Sequence, residues 1–344
     1  MQLNDVLWKF GLEDHFAKPF GNGLINSTWV IENSKGRKQF ILQRVNQHVF
    51  KYPEDIAFNI CLMSDYLKQH HPGYLFAVPY QTKHGHDLVK NEAGYFRLFN
   101  YIKNSHTINV VQEPGQAYEA AKQFGKFTKV LSGLDASQLK ITLPGFHDLS
   151  LRYKQFEMAL QVGNIERIKS SDEIIRFLQQ QKYIRDEFEM IKNDPDFKIR
   201  ITHHDTKISN VLFSEDDKGV CVIDLDTVMP GYFISDMGDM MRTCLSPVSE
   251  EEKDYSKIEI RKDFYEAIVQ GYLSEMGGEM TTTEKKYFLY SGKFMAYMQA
   301  LRFLTDHINN DIYYGAAYEG QNFTRAGNQA VLLQKLSEAE GSVF

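Results

Sequence analysis

Cysteine is scarce: Cys61, Cys221 and Cys244 are the only three in 344 residues, and no two form a CxxC pair. They point to reduced thiols in a cytoplasmic protein rather than to disulfides. No stretch approaches about 18 consecutive apolar residues, so no membrane span is expected. The opening MQLNDVLWKF lacks a basic start followed by an apolar run, so no secretory signal is expected. Long basic runs are absent and the formal net charge is −6, which argues against a nucleic-acid partner. Internal repeats and low-complexity segments are also missing.

What is present is an ordinary globular composition, 43% hydrophobic and 24% charged, in a chain long enough for two lobes rather than one simple core. The first hundred residues read as strands with one or two helices. A helix is expected over 2–17, where Val6, Leu7, Phe10 and Phe16 give an apolar side. After the glycine-containing PFGNG, the runs STWVIE and QFILQRV flank a polar turn and predict a hairpin. Helical spacing follows over 54–70, then a second hairpin from HDLVK to YFRLFNYI. Beyond about residue 103 the pattern turns helical over 113–132, 148–162, 171–192, 235–245, 259–276, 283–308 and 325–339, with a β-rich island at 199–225. The outline is α+β: a small β-rich lobe over 1–102 and a larger, mostly helical lobe over 103–344.

The chemistry concentrates in the island. His203 to Asn210 fit H-x-D-x-x-x-x-N, with Asp205 as the central carboxylate. In phosphoryl transfer a loop carboxylate orients the attacking hydroxyl and accepts its proton, while an amide oxygen a few residues on reaches a metal ion. Nineteen residues after Asp205, the apolar strand VCVI ends in Asp224, and Asp226 follows two residues later. Magnesium takes a few hard oxygen ligands together with phosphate and water, which Asn210 and Asp224 can supply. Asp226 either touches a second ion or holds a basic side chain. Three fixed positions are a weak signal alone; the loop, strand, turn, strand and carboxylate order is a stronger one. A transition-metal site using the adjacent histidines is a competing reading, although neighbours on a strand point to opposite faces.

The stretch THHDTKISNVLF…VIDLDTVMPGYFISDMGDMMR resembles the catalytic core of the aminoglycoside phosphotransferase and choline kinase superfamily. IDLDTVMPG, ALRFLTDHINNDIYY and GQNFTRAGNQ are most similar to the N-acetylhexosamine 1-kinases, as are GLINSTWVI and FILQRVN. The resemblance implies a protein-kinase-like two-lobed fold, with ATP and Mg2+ as cofactors. It makes Asp205 the base, Asn210 and Asp224 metal ligands, His203 a loop organiser and Asp236 a brace for the loop. Gly21 and Gly23 fall where a phosphate-covering loop lies, and Arg44 falls where many kinases carry a lysine. The helix carboxylate that pairs with that cation has no clear counterpart: Glu54 is nearest, and the helix centre offers Phe58 and Asn59.

Arg242, Arg302 and Asp306 are candidate substrate residues. Arg302 and Asp306 are four apart and so share a helix face, close to Tyr313, Tyr314 and Tyr318. The expected activity is phosphorylation of the anomeric hydroxyl of GlcNAc or GalNAc. A same-fold kinase for choline, an aminoglycoside or another amino alcohol is one alternative, and a non-catalytic nucleotide-binding regulator is another.

Overall fold

The computed structural model describes residues 2–21 and 25–340. In chain order it runs α1 (Gln2–Lys9), β1 (Phe16–Pro19), β2 (Ser27–Glu32), β3 (Lys38–Val45), α2 (Pro53–His70), β4 (Pro79–Tyr80), β5 (Val89–Asn91), β6 (Gly94–Asn100) and β7 (His106–Thr107). Then come α3 (Pro114–Val130), α4 (Leu149–Val162), α5 (Ile165–Ser170), α6 (Asp172–Gln180), α7 (Tyr183–Asn193), β8 (Arg200–Thr202), β9 (Val211–Phe213), β10 (Gly219–Val222) and β11 (Met229–Gly231). The chain closes with α8 (Phe233–Cys244), α9 (Lys262–Met276), α10 (Phe288–Ile308) and α11 (Gln321–Ala339).

These elements form two compact units. The first comprises 1–106, 130–144 and 212–230; the second comprises 107–129, 145–211 and 231–344. The division is therefore not one cut near residue 102. Two later segments return to the first unit, and hydrogen bonds to Asn59 show why. Asn59 Nδ2 donates to the carbonyls of Lys140 (2.9 Å) and Val228 (3.2 Å), and Lys140 N donates back to Asn59 Oδ1 at 2.7 Å.

The first unit is built on a six-stranded sheet in the order β1-β2-β3-β6-β4, with β5 also on β6. Strand parity decides which side chains meet. Trp29, Ile31, Leu42, Phe96 and Leu98 face α1, where Val6, Leu7 and Phe10 recur at helical spacing and complete the core. The opposite face carries Gln43 and Arg97, which are register partners on β3 and β6. Helix α1 stops well short of residue 17. Gly11 takes a left-handed φ of +78°, and the bonds Gly11 N to Trp8 O and Leu12 N to Leu7 O close the last turn.

In the second unit α10 is buried along almost its whole length and packs against α4, α8 and α11. Its residues are mostly apolar, which suits a core helix, although Arg302 and Asp306 are buried on it as well. The helix expected over 171–192 is two helices. Tight turns, Lys182 N to Gln179 O and Ile184 N to Gln181 O, redirect α7 so that both Leu178 and Ile184 are buried. No helix among the described residues is long and apolar enough to cross a membrane.

Candidate active site

In the second unit, β8 leads into the loop that carries Asp205. His204 adopts φ +65° there, an uncommon conformation for a non-glycine residue. Two features hold it. Asp236, the fourth residue of α8, accepts His203 N at 3.0 Å and His204 N at 2.7 Å. Gly231 leaves room for the loop: a Cβ there would lie 2.4 Å from His204 Nε2 and 2.5 Å from Thr202 Oγ1. Asp236 is wholly buried, which pushes its carboxyl up to about 7 against the pull of the two backbone N–H groups. The ring of His203 meets the edges of Phe124 and Phe127, at 5.2 and 6.0 Å between centroids, and Asp205 N donates to its Nδ1 at 3.3 Å. The expected organising and bracing positions of His203 and Asp236 thus acquire concrete contacts.

Asp239 is a brace that the sequence reading passed over. One turn beyond Asp236, it accepts Thr206 N at 2.8 Å, beside Asp205. The signal was the second acid of DMGD, three residues on and on the same helix face. Burial raises the Asp239 carboxyl, and Arg242 opposes the rise from 2.9 Å. Arg242 is therefore enclosed between Asp239 and Glu250 rather than free for a substrate. Burial works against its charge, but the two acids outweigh burial and raise its pKa.

Asp205 itself is 20% exposed. Asn210 Nδ2 donates to its Oδ2 at 3.1 Å and to its carbonyl at 2.8 Å, and Lys207 Nζ lies 3.2 Å from the same Oδ2. Oδ1 accepts none of these bonds. Because Asn210 uses its Nδ2 on Asp205, its side-chain oxygen is the end that suits a cation.

Arg302 is buried at 8% exposure, yet no carboxylate pairs with it among the described residues. Its guanidinium lies 5.3 Å from the Phe146 ring and 5.4 Å from Tyr314, and Nη1 reaches Gln299 at 3.4 Å. Burial, His204 and the guanidiniums of Arg302, Arg152 and Arg242 push His147 well below the usual imidazole value. Burial and Arg302 likewise lower Arg152, which donates to the carbonyls of Gly145 and Phe146. Asp306 does not pair with Arg302. It accepts Tyr313 N (2.7 Å), Tyr314 N (2.9 Å) and Asn322 Nδ2 (3.1 Å), and so shapes the turn that presents Tyr314.

In the first unit, Asp224 lies two residues beyond the end of β10 and is exposed and left-handed at φ 62°, ψ 60°. A strained strand-end carboxylate is a common mark of a working site. A carboxylate offers the hard oxygens that a magnesium ligand needs. Asp226 is different: it is buried, 2.5 Å from Arg97 Nη1, and Asn26 Nδ2 donates to it at 2.7 Å. Of its two expected roles it takes the holding of a basic side chain. Arg97 also donates from Nε and Nη2 to Gln43 Oε1. Arg44 is on the other face of β3; it is exposed and bonds Ser27 Oγ at 3.2 Å. Glu54 is engaged by the Tyr95 hydroxyl, which lowers its pKa, and so is not a partner for Arg44. Gly21 has φ +75°, while Gly23 lies outside the described residues.

A model of the phosphotransferase enzyme family (APH) matches residues 17–280. Among solved structures the chain is similar to a microcompartment-associated aminopropanol kinase, 12% identical at a TM-score of 0.70, covering 99% of this chain and 97% of that one. It is also similar to choline kinase from Cryptosporidium parvum Iowa II, 14% identical at a TM-score of 0.60, covering 98% and 95%. A third is the spectinomycin phosphotransferase solved with ADP and spectinomycin, 14% identical at a TM-score of 0.60, covering 98% of each chain. At these identities the likeness establishes the fold, a kinase-like α+β architecture.

Proposed function

Since the chain belongs to the phosphotransferase enzyme family, and is thus a small-molecule phosphotransferase, we propose that it moves the ATP γ-phosphoryl group to the anomeric hydroxyl of an N-acetylhexosamine. The observation that carries the acceptor class is the buried, carboxylate-free guanidinium of Arg302 beside Tyr314, with Arg152 close enough to feel its charge. A cationic acceptor such as choline or an aminopropanol needs carboxylates or an aromatic cage without competing cations. Here it would meet arginines in a poorly solvated place, where like charges repel strongly. A neutral sugar offers hydroxyl and amide oxygens to the guanidinium and a C–H face to the aromatic rings. The resemblance of RFLTDH and IDLDTVMPG to the N-acetylhexosamine 1-kinases narrows that class to GlcNAc or GalNAc.

Asp205 orients the acceptor hydroxyl and takes its proton through Oδ1, while Asn210 and Lys207 fix Oδ2. Asn210 and Asp224 are each candidate ligands for magnesium, which when bound would supply charge neutralisation on the β- and γ-phosphates. Gly21 keeps its proposed place in the phosphate-covering turn. Gln43 and Arg97 replace Arg44 as candidates near the nucleotide, because they share a face with Asp226. ADP release with ATP, magnesium and a panel of acceptors tests the reading. GlcNAc or GalNAc should stimulate turnover well above choline, aminopropanol and spectinomycin. Preference for a cationic acceptor would overturn it.

A further inference from the structure

No motif singled out Glu250, which lies in the segment between α8 and α9 and is 26% exposed. Its carboxylate takes two arginines at once: Oε2 accepts Arg242 Nη1 at 2.5 Å, and Oε1 accepts Arg325 Nη2. The two arginines lead in different directions. Arg242 continues to Asp239, and Asp239 holds Thr206 N beside Asp205. Arg325 Cζ lies 3.8 Å from the centroid of the Phe303 ring, and that ring is 5.1 Å from Tyr314, the aromatic next to Arg302. The backbone around Glu250 is tied down as well, since Asn328 Nδ2 donates to Ser249 O at 3.0 Å.

We infer that Glu250 is a positioning residue that locks the acceptor-side layer of Arg325, Phe303 and Tyr314 to the loop bearing Asp205. The inference rests on the phosphotransferase reading for its effect on turnover, but the lock itself is a property of the second unit. A carboxylate shared by two guanidiniums makes charge-assisted bonds on both sides. Burial works to raise its pKa, but Arg242 and Arg325 outweigh burial and hold it in the charged form. Without that charge, two partly buried cations face each other close to the cations already at Arg302 and Arg152, and an unpaired buried charge is strongly unfavourable. Arg242 then loses one of its two anchors, and Asp239 loses a fixed partner while still holding the Thr206 amide.

The test compares wild type with Glu250→Gln, which removes only the charge, and Glu250→Asp, which retains it. Turnover of Glu250→Gln should fall roughly 10- to 100-fold, the usual range for residues that orient the reacting groups from behind. The KM for the acceptor should rise and that for ATP should stay within about twofold, because the lock reaches only the acceptor side and the loop. Glu250→Asp should recover part of the loss. Hydrogen exchange at the amides of 203–206 should quicken in Glu250→Gln, and Arg325→Met should show the same pattern if the glutamine variant folds poorly. Wild-type turnover by Glu250→Gln, or loop exchange unchanged in both variants, overturns the inference. If wild type phosphorylates no acceptor, the functional reading fails, and the exchange measurement alone decides on the lock.

Discussion

Each thiol of this chain is turned away from reactivity by its surroundings. Burial, with help from Asp87, pushes Cys61 up to about 12; burial also pushes Cys221 to about 12 and Cys244 to about 11. At pH 8 only about one thiol in a thousand or fewer is ionised at such values, and the thiolate is the reactive form. A thiol-titrating disulfide reagent should thus find almost nothing in the native protein at pH 8 and all three cysteines after unfolding. Rapid labelling of the native protein would contradict those environments. Residue-scale legibility was uneven. Asp205, Asn210 and Asp224 were picked out as candidates because a loop acid, a nearby amide and a later acid follow one another in the order that phosphoryl transfer uses. Arg44 is exposed on the face of β3 opposite Gln43, since neighbours on a strand point to opposite sides. The cation that joins Asp226 comes instead from Arg97 on β6, a cross-strand partner of Gln43 that no local pattern announces.

Helix α8 shows how an element sets the site. It carries both braces, Asp236 and Asp239, and between them Gly238, which lets α10 approach closely. A Cβ on Gly238 would lie 2.4 Å from Ser291 O and 2.8 Å from Met295 Cβ. Gly238→Ala should cost roughly 1–3 kcal/mol of stability through overpacking, outweighing alanine's better helix propensity. Urea unfolding measures it directly, and a variant as stable as wild type would mean that α8 and α10 can separate freely. Most helices and both hairpins were readable from periodicity. The stop of α1 at Gly11 and the break between α6 and α7 were not, because both depend on turn bonds that interrupt an otherwise continuous apolar pattern.

For the whole molecule, the sequence pointed to an α+β fold with a β-rich beginning and a helical remainder, and the family match agrees. A single boundary near residue 102 could not capture the segments 130–144 and 212–230, whose attachment to the first unit depends on long-range bonds such as Asn59 to Lys140 and Asn26 to Asp226. The measurement that bears most directly on the catalytic assignment is turnover of Asp205→Asn at saturating ATP, magnesium and acceptor, alongside its thermal midpoint and nucleotide affinity. The account predicts a loss on the order of 10²- to 10⁴-fold with folding and nucleotide binding preserved. Turnover close to wild type in a folded, nucleotide-binding Asp205→Asn protein would contradict it.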